Sequence, residues 1–370
     1  MDSAVPIRSP RDTMPPILIH LVQIAVAVLG GAAFSWLGIP AAWLSGSLVA
    51  VVLWRIVGPD RPIPKPVADL AMLISGATTG AAVTPEALVA VTRYPSSLAT
   101  LAVGIVAICG ASAMWLIRVS GWPRDDAVLA SVPGALSTVL VVAADRKANV
   151  ASIAIVQSFR LLILMTVLPS AVSWVGGSRA GKLPGVGHAV ATPGALAAIL
   201  LGGLALGALF SRLRIAAPIL FGSAVASTVL HVSEVAPGVI PPSIATVGLV
   251  LIGLFLAESF RTLQWSSIRE MVPAALGSFI VGMAVATLFA VASAAFARVP
   301  LADALVAFAP GGLEAMMVLA VVLGLDPLYV GVHHLARLLG IGFTVPFVVA
   351  WLQGGEPPKG DVVGGRRIHR

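Results

Sequence analysis

Charge is scarce in this sequence. Asp, Glu, Lys and Arg make up 11% of its 370 residues, 58% are hydrophobic and the mean hydropathy is +1.00, whereas about 25% of a soluble domain is charged. That excludes a soluble globular chain and leaves a membrane protein. Cysteine is nearly absent too. The single Cys109 lies inside an apolar run, so there is no disulfide framework and no thiolate metal site, and a buried structural thiol is expected. Hydrolytic and phosphate-binding motifs such as G-x-S-x-G, H-E-x-x-H and G-x-x-x-x-G-K-[ST] are missing. The reading is of a non-enzyme with no cofactor and no metal. The net charge of +7 comes from basic residues spread singly or in pairs along loop edges. With no helix-turn-helix and no aromatic-basic platform, direct nucleic-acid binding is excluded.

Long apolar stretches dominate. Twelve can be marked, nearly all approaching the roughly 20 residues of a spanning helix, and no soluble domain fits between them. Residues 1–16 are polar and basic. Ile17–Gly38 is too long for a signal-peptide core and lacks a cleavage site, so it is the first helix. Ala41–Val57, Val67–Val83, Ser96–Val119, Ala127–Ala144 and Val150–Val172 complete a first unit over 17–175. A glycine-rich linker over 176–192 follows. The second unit, 193–352, holds Gly194–Leu213, Ile215–His231, Pro242–Glu258, Met271–Ala297, Ala304–Leu325 and Leu328–Leu352, and the basic tail 353–370 is expected to be disordered. Ser75, Gly76, Thr78, Thr79 and Gly80 suit close helix packing or a polar lining. Trp36, Trp54, Trp115, Trp122, Trp174, Trp265 and Trp351 stand near segment ends, where interfacial aromatics gather.

Two apolar segments contain what such segments should not. S-V-P-G-A-L-S runs from Ser131 to Ser137 and F-A-P-G-G-L-E from Phe308 to Glu314. Proline costs roughly 3 kcal/mol in a helix interior and glycine opens conformations closed to other residues, so both segments are broken. The copies align at an offset of 177 residues. From Asp126–Pro169 against Asp303–Pro346, 12 of 44 pairs are identical without a gap, including Asp126 with Asp303, Arg160 with Arg337 and Pro169 with Pro346. An apolar chain matches leucine by chance but rarely arginine, so each unit is one copy of a duplication.

Loop charges choose the topology. With twelve spans and an inside N-terminus, cytoplasmic loops hold 14 basic residues and outer loops 7; with both Pro-Gly segments re-entrant, the split is 17 and 4. The re-entrant arrangement fits better. The fold class is therefore an all-α polytopic membrane protein of two tandem repeats, each with five spanning helices and one re-entrant segment. Five is odd, so the second repeat is inverted, and the broken segments approach the midplane from opposite faces. Backbone broken at that depth must be buried in protein or line a cavity.

Arg160 and Arg337 lie about 10 residues into their helices, or roughly 15 Å deep at about 1.5 Å per residue, near the centre of a core about 30 Å thick. A charge there is functional or paired: it serves a ligand or gate, or ties down backbone carbonyls at the breaks. Gln157 and His334 each precede an arginine by three residues and share its helix face. His334 either carries a proton or makes an interior hydrogen bond, and the His333-His334 doublet is poorly placed for a metal. Glu314, with Ser137 as its counterpart, either neutralises an arginine or titrates. Glu258 is expected to pair with Arg261 at the surface. Asp126, Asp303, Asn149 and Asp326 are expected to cap helix starts, with Pro327 at a first helical position. The candidate ligand site comprises Arg160, Arg337, Gln157, His334, Pro133, Gly134, Pro310, Gly311, Gly312 and Glu314. Unpaired donors at the half-helix starts favour an anion or zwitterion there.

The two P-G-x-L copies, R-L-L after each arginine, and A-P-G-G-L-E-A-M-M followed by L-G-L-D-P and V-H-H-L-A-R-L-L resemble the Gram-negative membrane AbrB family. The likeness spans about Ile17 to Trp351, with Ala135 and Ser137 departing in the first copy. It implies a duplicated membrane domain and a function described as regulation of gene expression or, by an older label, ammonia monooxygenase. His20, His188, His231 and His369 sit at segment edges or outside the segments, which leaves an oxygenase without a ligand cluster. The residues point to a small-solute permease in the bacterial inner membrane, with both termini cytoplasmic and partners limited to the bilayer and the solute. The alternative is a solute-binding membrane regulator acting indirectly on gene expression. Self-association into a homo-oligomer stays open.

Overall fold

The computed structural model describes residues 15–83, 89, 92, 94–133, 136–176, 189–215, 217–261 and 265–353. Most of the N-terminal segment, the linker and the tail fall outside them, as does Gly134 of the first Pro-Gly pair. Fourteen helices are described: α1 Pro16–Trp36, α2 Ala42–Val57, α3 Lys65–Ala81, α4 Tyr94–Arg118, α5 Arg124–Ser131, α6 Leu136–Asp145, α7 Val150–Gly176, α8 Pro193–Arg212, α9 Pro218–Val232, α10 Pro242–Leu256, α11 Trp265–Ala297, α12 Leu301–Phe308, α13 Leu313–Val322 and α14 Pro327–Gln353. Six are long and apolar enough to cross a membrane: α1, α4, α7, α8, α10 with its trailing 3-10 turn, and α11. α2, α9 and α13 are apolar but shorter. Trp36 and Trp174 at helix ends are 88% and 89% exposed.

Proline opens many of these helices, at α1, α8, α9 and α10, where its missing N–H is no loss. Thr192 adds a side-chain cap to α8, its Oγ1 accepting from Ala195 N at 3.2 Å. The fifth and eleventh apolar segments are split, as their Pro-Gly pairs require: α5 ends at Ser131 before α6 begins at Leu136, and α12 ends at Phe308 before α13 begins at Leu313.

Both split segments fold back on themselves. Arg146, just after α6, pairs with Asp125 in the first turn of α5 at 2.6 Å. Asp126 Oδ1 accepts from Asn149 N at 3.0 Å and Asp303 Oδ1 from Asp326 N at 2.6 Å. These two aspartates therefore do not cap their own helices as expected. They lie within the first turns of α5 and α12 and tie those turns to the starts of α7 and α14. Asn149 and Asp326 do cap, accepting from Ser152 N and from Leu328 N and Tyr329 N.

Small residues set the closest helix contacts. In α3, a Cβ on Gly76 would fall 2.3 Å from Leu220 O, and one on Gly80 2.1 Å from Ala224 O, both on α9. Ser223 and Ser227 of α9 donate to Leu73 O and Ala77 O at 2.7 Å each. Ser75, Thr78 and Thr79 line a cavity of about 20 Å³ against α10 and α13, whereas Gly76 and Gly80 serve close packing. The same contact recurs between α10 and α2, where a Cβ on Gly253 would meet Ser47 Cβ at 2.7 Å and Leu44 O at 2.8 Å. Gly253 follows Gly76 by 177 positions, and Leu220 follows Leu44 by 176. Likewise Gly30 meets Gly46 between α1 and α2, and Gly222 meets Gly207 between α9 and α8. Cys109 is half-buried rather than buried, because α4 turns part of that face outward.

Candidate functional site

A half-helix that stops inside protein leaves its last carbonyls without partners. α5 and α12 stop this way, and the candidate side chains go to those carbonyls. Gln157 Nε2 donates to Leu129 O at 3.1 Å and an Arg160 guanidinium nitrogen to Val132 O at 3.3 Å. At the equivalent positions, His334 Nε2 donates to Val306 O at 2.9 Å and Arg337 to Ala309 O at 2.6 Å. The spacing of three residues between partner and arginine matches one turn of the helix being capped. A positive charge at a helix C-terminus is also favoured by the dipole.

Arg337 is the more completely engaged. Its second terminal nitrogen donates to Gly311 O, inside the break, and to His334 Nδ1 at 2.6 Å. His334 thereby has its tautomer fixed: Nε2 carries the hydrogen and Nδ1 accepts. Arg337 is 3% exposed. Arg160 is half-buried and lines a cavity of about 10 Å³ with Ser112, Val156, Ala275, Ser278, Phe279, Gly282 and Pro310. That is room for about one water. Arg160 comes from the first half of the chain and Pro310 from the second break. The two guanidinium groups lie within charge–charge reach of one another and of Cys109.

Of the remaining candidates, Pro133, Pro310 and Gly311 are buried, and a Cβ on Gly311 would fall 2.3 Å from Met316 Cε. Gly312 precedes α13 and leaves its Cβ position open apart from Glu314 Oε2 at 3.8 Å. Glu314 sits in the first turn of α13, where the dipole favours a carboxylate. Among the described residues it enters no ion pair with either arginine. Nor do any three His, Cys, Asp or Glu side chains among them gather where a metal ion could bind.

The family described as "Transition state regulatory protein AbrB" matches residues 43–353, which include both breaks, both arginines and the cavity. The chain belongs to the AbrB family. A Bacillus subtilis (strain 168) protein described as "Uncharacterized protein YhjN" is 22% identical over 377 residues, covering 94% of this chain and 98% of its own.

Two polar clusters of this AbrB-family chain escaped the sequence reading. In the first, Arg55, at the end of α2, pairs with Glu258 at 2.5 Å and with Asp60 at 3.0 Å and donates to Ala257 O. Glu258 therefore has Arg55 as its close partner, with Arg261 farther away at 3.5 Å. Gln23 Nε2 donates to Asp60 Oδ1 at 2.6 Å. In the second, both tyrosines of the chain, Tyr94 and Tyr329, gather with Ser97, Ser293 and His333 in the interior. The rarity of tyrosine was the one available signal. Nothing in the spacing joins residues contributed by α4, α11 and α14.

Proposed function

We propose that this protein is a small-solute permease of the bacterial inner membrane, with both termini cytoplasmic, that binds an anion or zwitterion between its two broken segments and performs no covalent chemistry on it. The observation that carries the reading is the cavity shared by Arg160 of one half and Pro310 at the break of the other. The Arg160 guanidinium supplies the charged donor for a small anion, while the Ser112 hydroxyl beside it donates to Ser278 O at 3.3 Å. Arg337 holds the second break together, and Arg160 is the ligand's charge partner.

Inverted duplication is part of the proposal. The reciprocal contacts of Gly76 on α9 and Gly253 on α2, and the matched ties from Arg160 and Arg337, support a pseudo-two-fold relation. The meeting ends of each split segment support re-entry. α5 and α12 have eight residues each, about 12 Å of helix, so the breaks fall near the middle of a core about 30 Å thick. A cavity with room for about one water is the closed state of such a site, and transport requires the broken segments to part.

The family's description as regulatory favours a second reading, in which the same site binds a solute without moving it. Binding comes first in either case. Purified protein screened for thermal stabilisation against chloride, phosphate, acetate, glycine and glutamate should respond to at least one, and Arg160→Gln should abolish the response. A response that survives in Arg160→Gln would contradict the site.

A further inference from the structure

The hydrogens of the tyrosine–serine–histidine cluster can be counted. His333 Nδ1 donates to Tyr329 O at 2.8 Å, so Nε2 of the neutral ring is an acceptor and takes the Ser97 hydroxyl hydrogen at 2.7 Å. Ser97 has then given its one hydrogen. Its oxygen must accept from both Ser293 Oγ and Tyr329 OH, each at 2.6 Å. Every hydrogen in the set points toward the imidazole. A proton added at Nε2 reverses this: the ring donates to Ser97, and Ser97 turns its hydrogen to Ser293 or Tyr329.

One end of the cluster lies beside a half-buried carboxylate, with the Tyr94 ring between them. Tyr94 OH donates to Asp326 Oδ2 at 3.2 Å, and the Tyr94 ring meets Tyr329 edge-on with centroids 5.2 Å apart and His333 at 6.0 Å. Asp326 is half-buried, whereas Tyr94, Tyr329 and His333 are 2% exposed or less. The titratable and charged groups on the elements around His333 are Asp326, Tyr329, His334 and Arg337 at the start of and along its own helix, Tyr94 on α4 and Asp303 on α12; α11 contributes Ser293. The next residue, His334, holds Arg337 and through it the break carbonyls. A cation at His333 would repel that guanidinium. One duplication later the cluster is gone: the positions equivalent to Tyr329, His333, Ser97 and Ser293 are Ser152, Val156, Ala274 and Leu116.

We propose that His333, with Ser97, Ser293 and Tyr329, is a proton-binding site loaded from the Asp303–Asp326 end, and that the proton is the coupling ion of the solute site. The second clause rests on the permease reading, and the first stands without it. Interior histidines in membrane proteins commonly mark such relays.

The test uses full-length protein carrying ¹⁵N-labelled histidine in lipid bilayers, read by magic-angle-spinning NMR with no solute present. The difference from His333→Gln assigns the His333 ring. If that variant does not fold, Ser97→Ala assigns the ring by shifting the same signal. The ring should be in the Nδ1–H form at about pH 8 and become doubly protonated as the pH is lowered in steps toward about 3. Ser97→Ala should displace the midpoint by about one pH unit or more, since it removes the acceptor of the added proton. A ring that stays neutral throughout, or one that titrates unchanged in Ser97→Ala, would overturn the proposal. Neither result bears on solute binding, which the anion screen decides separately.

Discussion

Replacing Arg337 with lysine keeps the charge and removes the fork. Arg337 serves three acceptors, Ala309 O, Gly311 O and His334 Nδ1, on two different nitrogens. A lysine ammonium is a single point on a flexible stem and leaves at least one of these buried acceptors unmet, at about 1–3 kcal/mol. Arg160 makes a longer bond, 3.3 Å to Val132 O, from a half-buried position. Arg160→Lys should therefore cost about 1 kcal/mol or less. Denaturant unfolding of both variants and the parent in the same micelles measures the difference. The expected order of stability is parent, Arg160→Lys, Arg337→Lys. Equal losses, or Arg160→Lys as the weaker protein, would refute the assignment of Arg337 to the break.

Single cysteines at Arg124 and Lys147 in a Cys109→Ser background should react with an impermeant thiol reagent from the same side of the membrane, because Asp125 and Arg146 beside them are paired; labelling from opposite sides would end the re-entrant reading. Gly80→Ala drives a Cβ to within 2.1 Å of Ala224 O and should destabilise by about 1–3 kcal/mol or more. Gly110→Ala, which meets nothing within 4 Å, should stabilise α4 by about 0.5–1 kcal/mol, so similar unfolding midpoints for the two would contradict the packing. Burial of Asp60 outweighs the Arg55 charge beside it and holds its carboxyl above the ordinary 3.8. The native state then binds a proton more readily than the unfolded one. Asp60 thus contributes stability that is full below pH 3.8 and is lost as pH rises through the elevated native value. Asp60→Asn should remove that fall from a pH series of unfolding curves; an unchanged slope would refute it.

The breaks were legible because proline and glycine carry their backbone consequences with them, and the arginines because a charge inside an apolar run demands a reason. Loop charge favours re-entry, and the Asp125–Arg146 pair supports that reading. What the arginines hold was open in the sequence. The backbone carbonyls of Val132 and Ala309 have no residue-specific mark, so a ligand and a helix end looked alike. Sequence distance hid the rest. Glu258 had a basic residue three positions away, and its closer partner Arg55 lies 203 positions back. The Ser97 hub joins Ser293 and His333 across 196 and 236 residues, and no helical periodicity links them.

The central claim is that a small anion or zwitterion passes through a site governed by Arg160. Liposomes reconstituted with the protein can be offered whichever of chloride, phosphate, acetate, glycine or glutamate stabilises it in the binding screen, and uptake followed with Arg160→Gln alongside. The account predicts saturable uptake by the parent protein and none above empty liposomes by the variant. Saturable binding by the parent without uptake would contradict it.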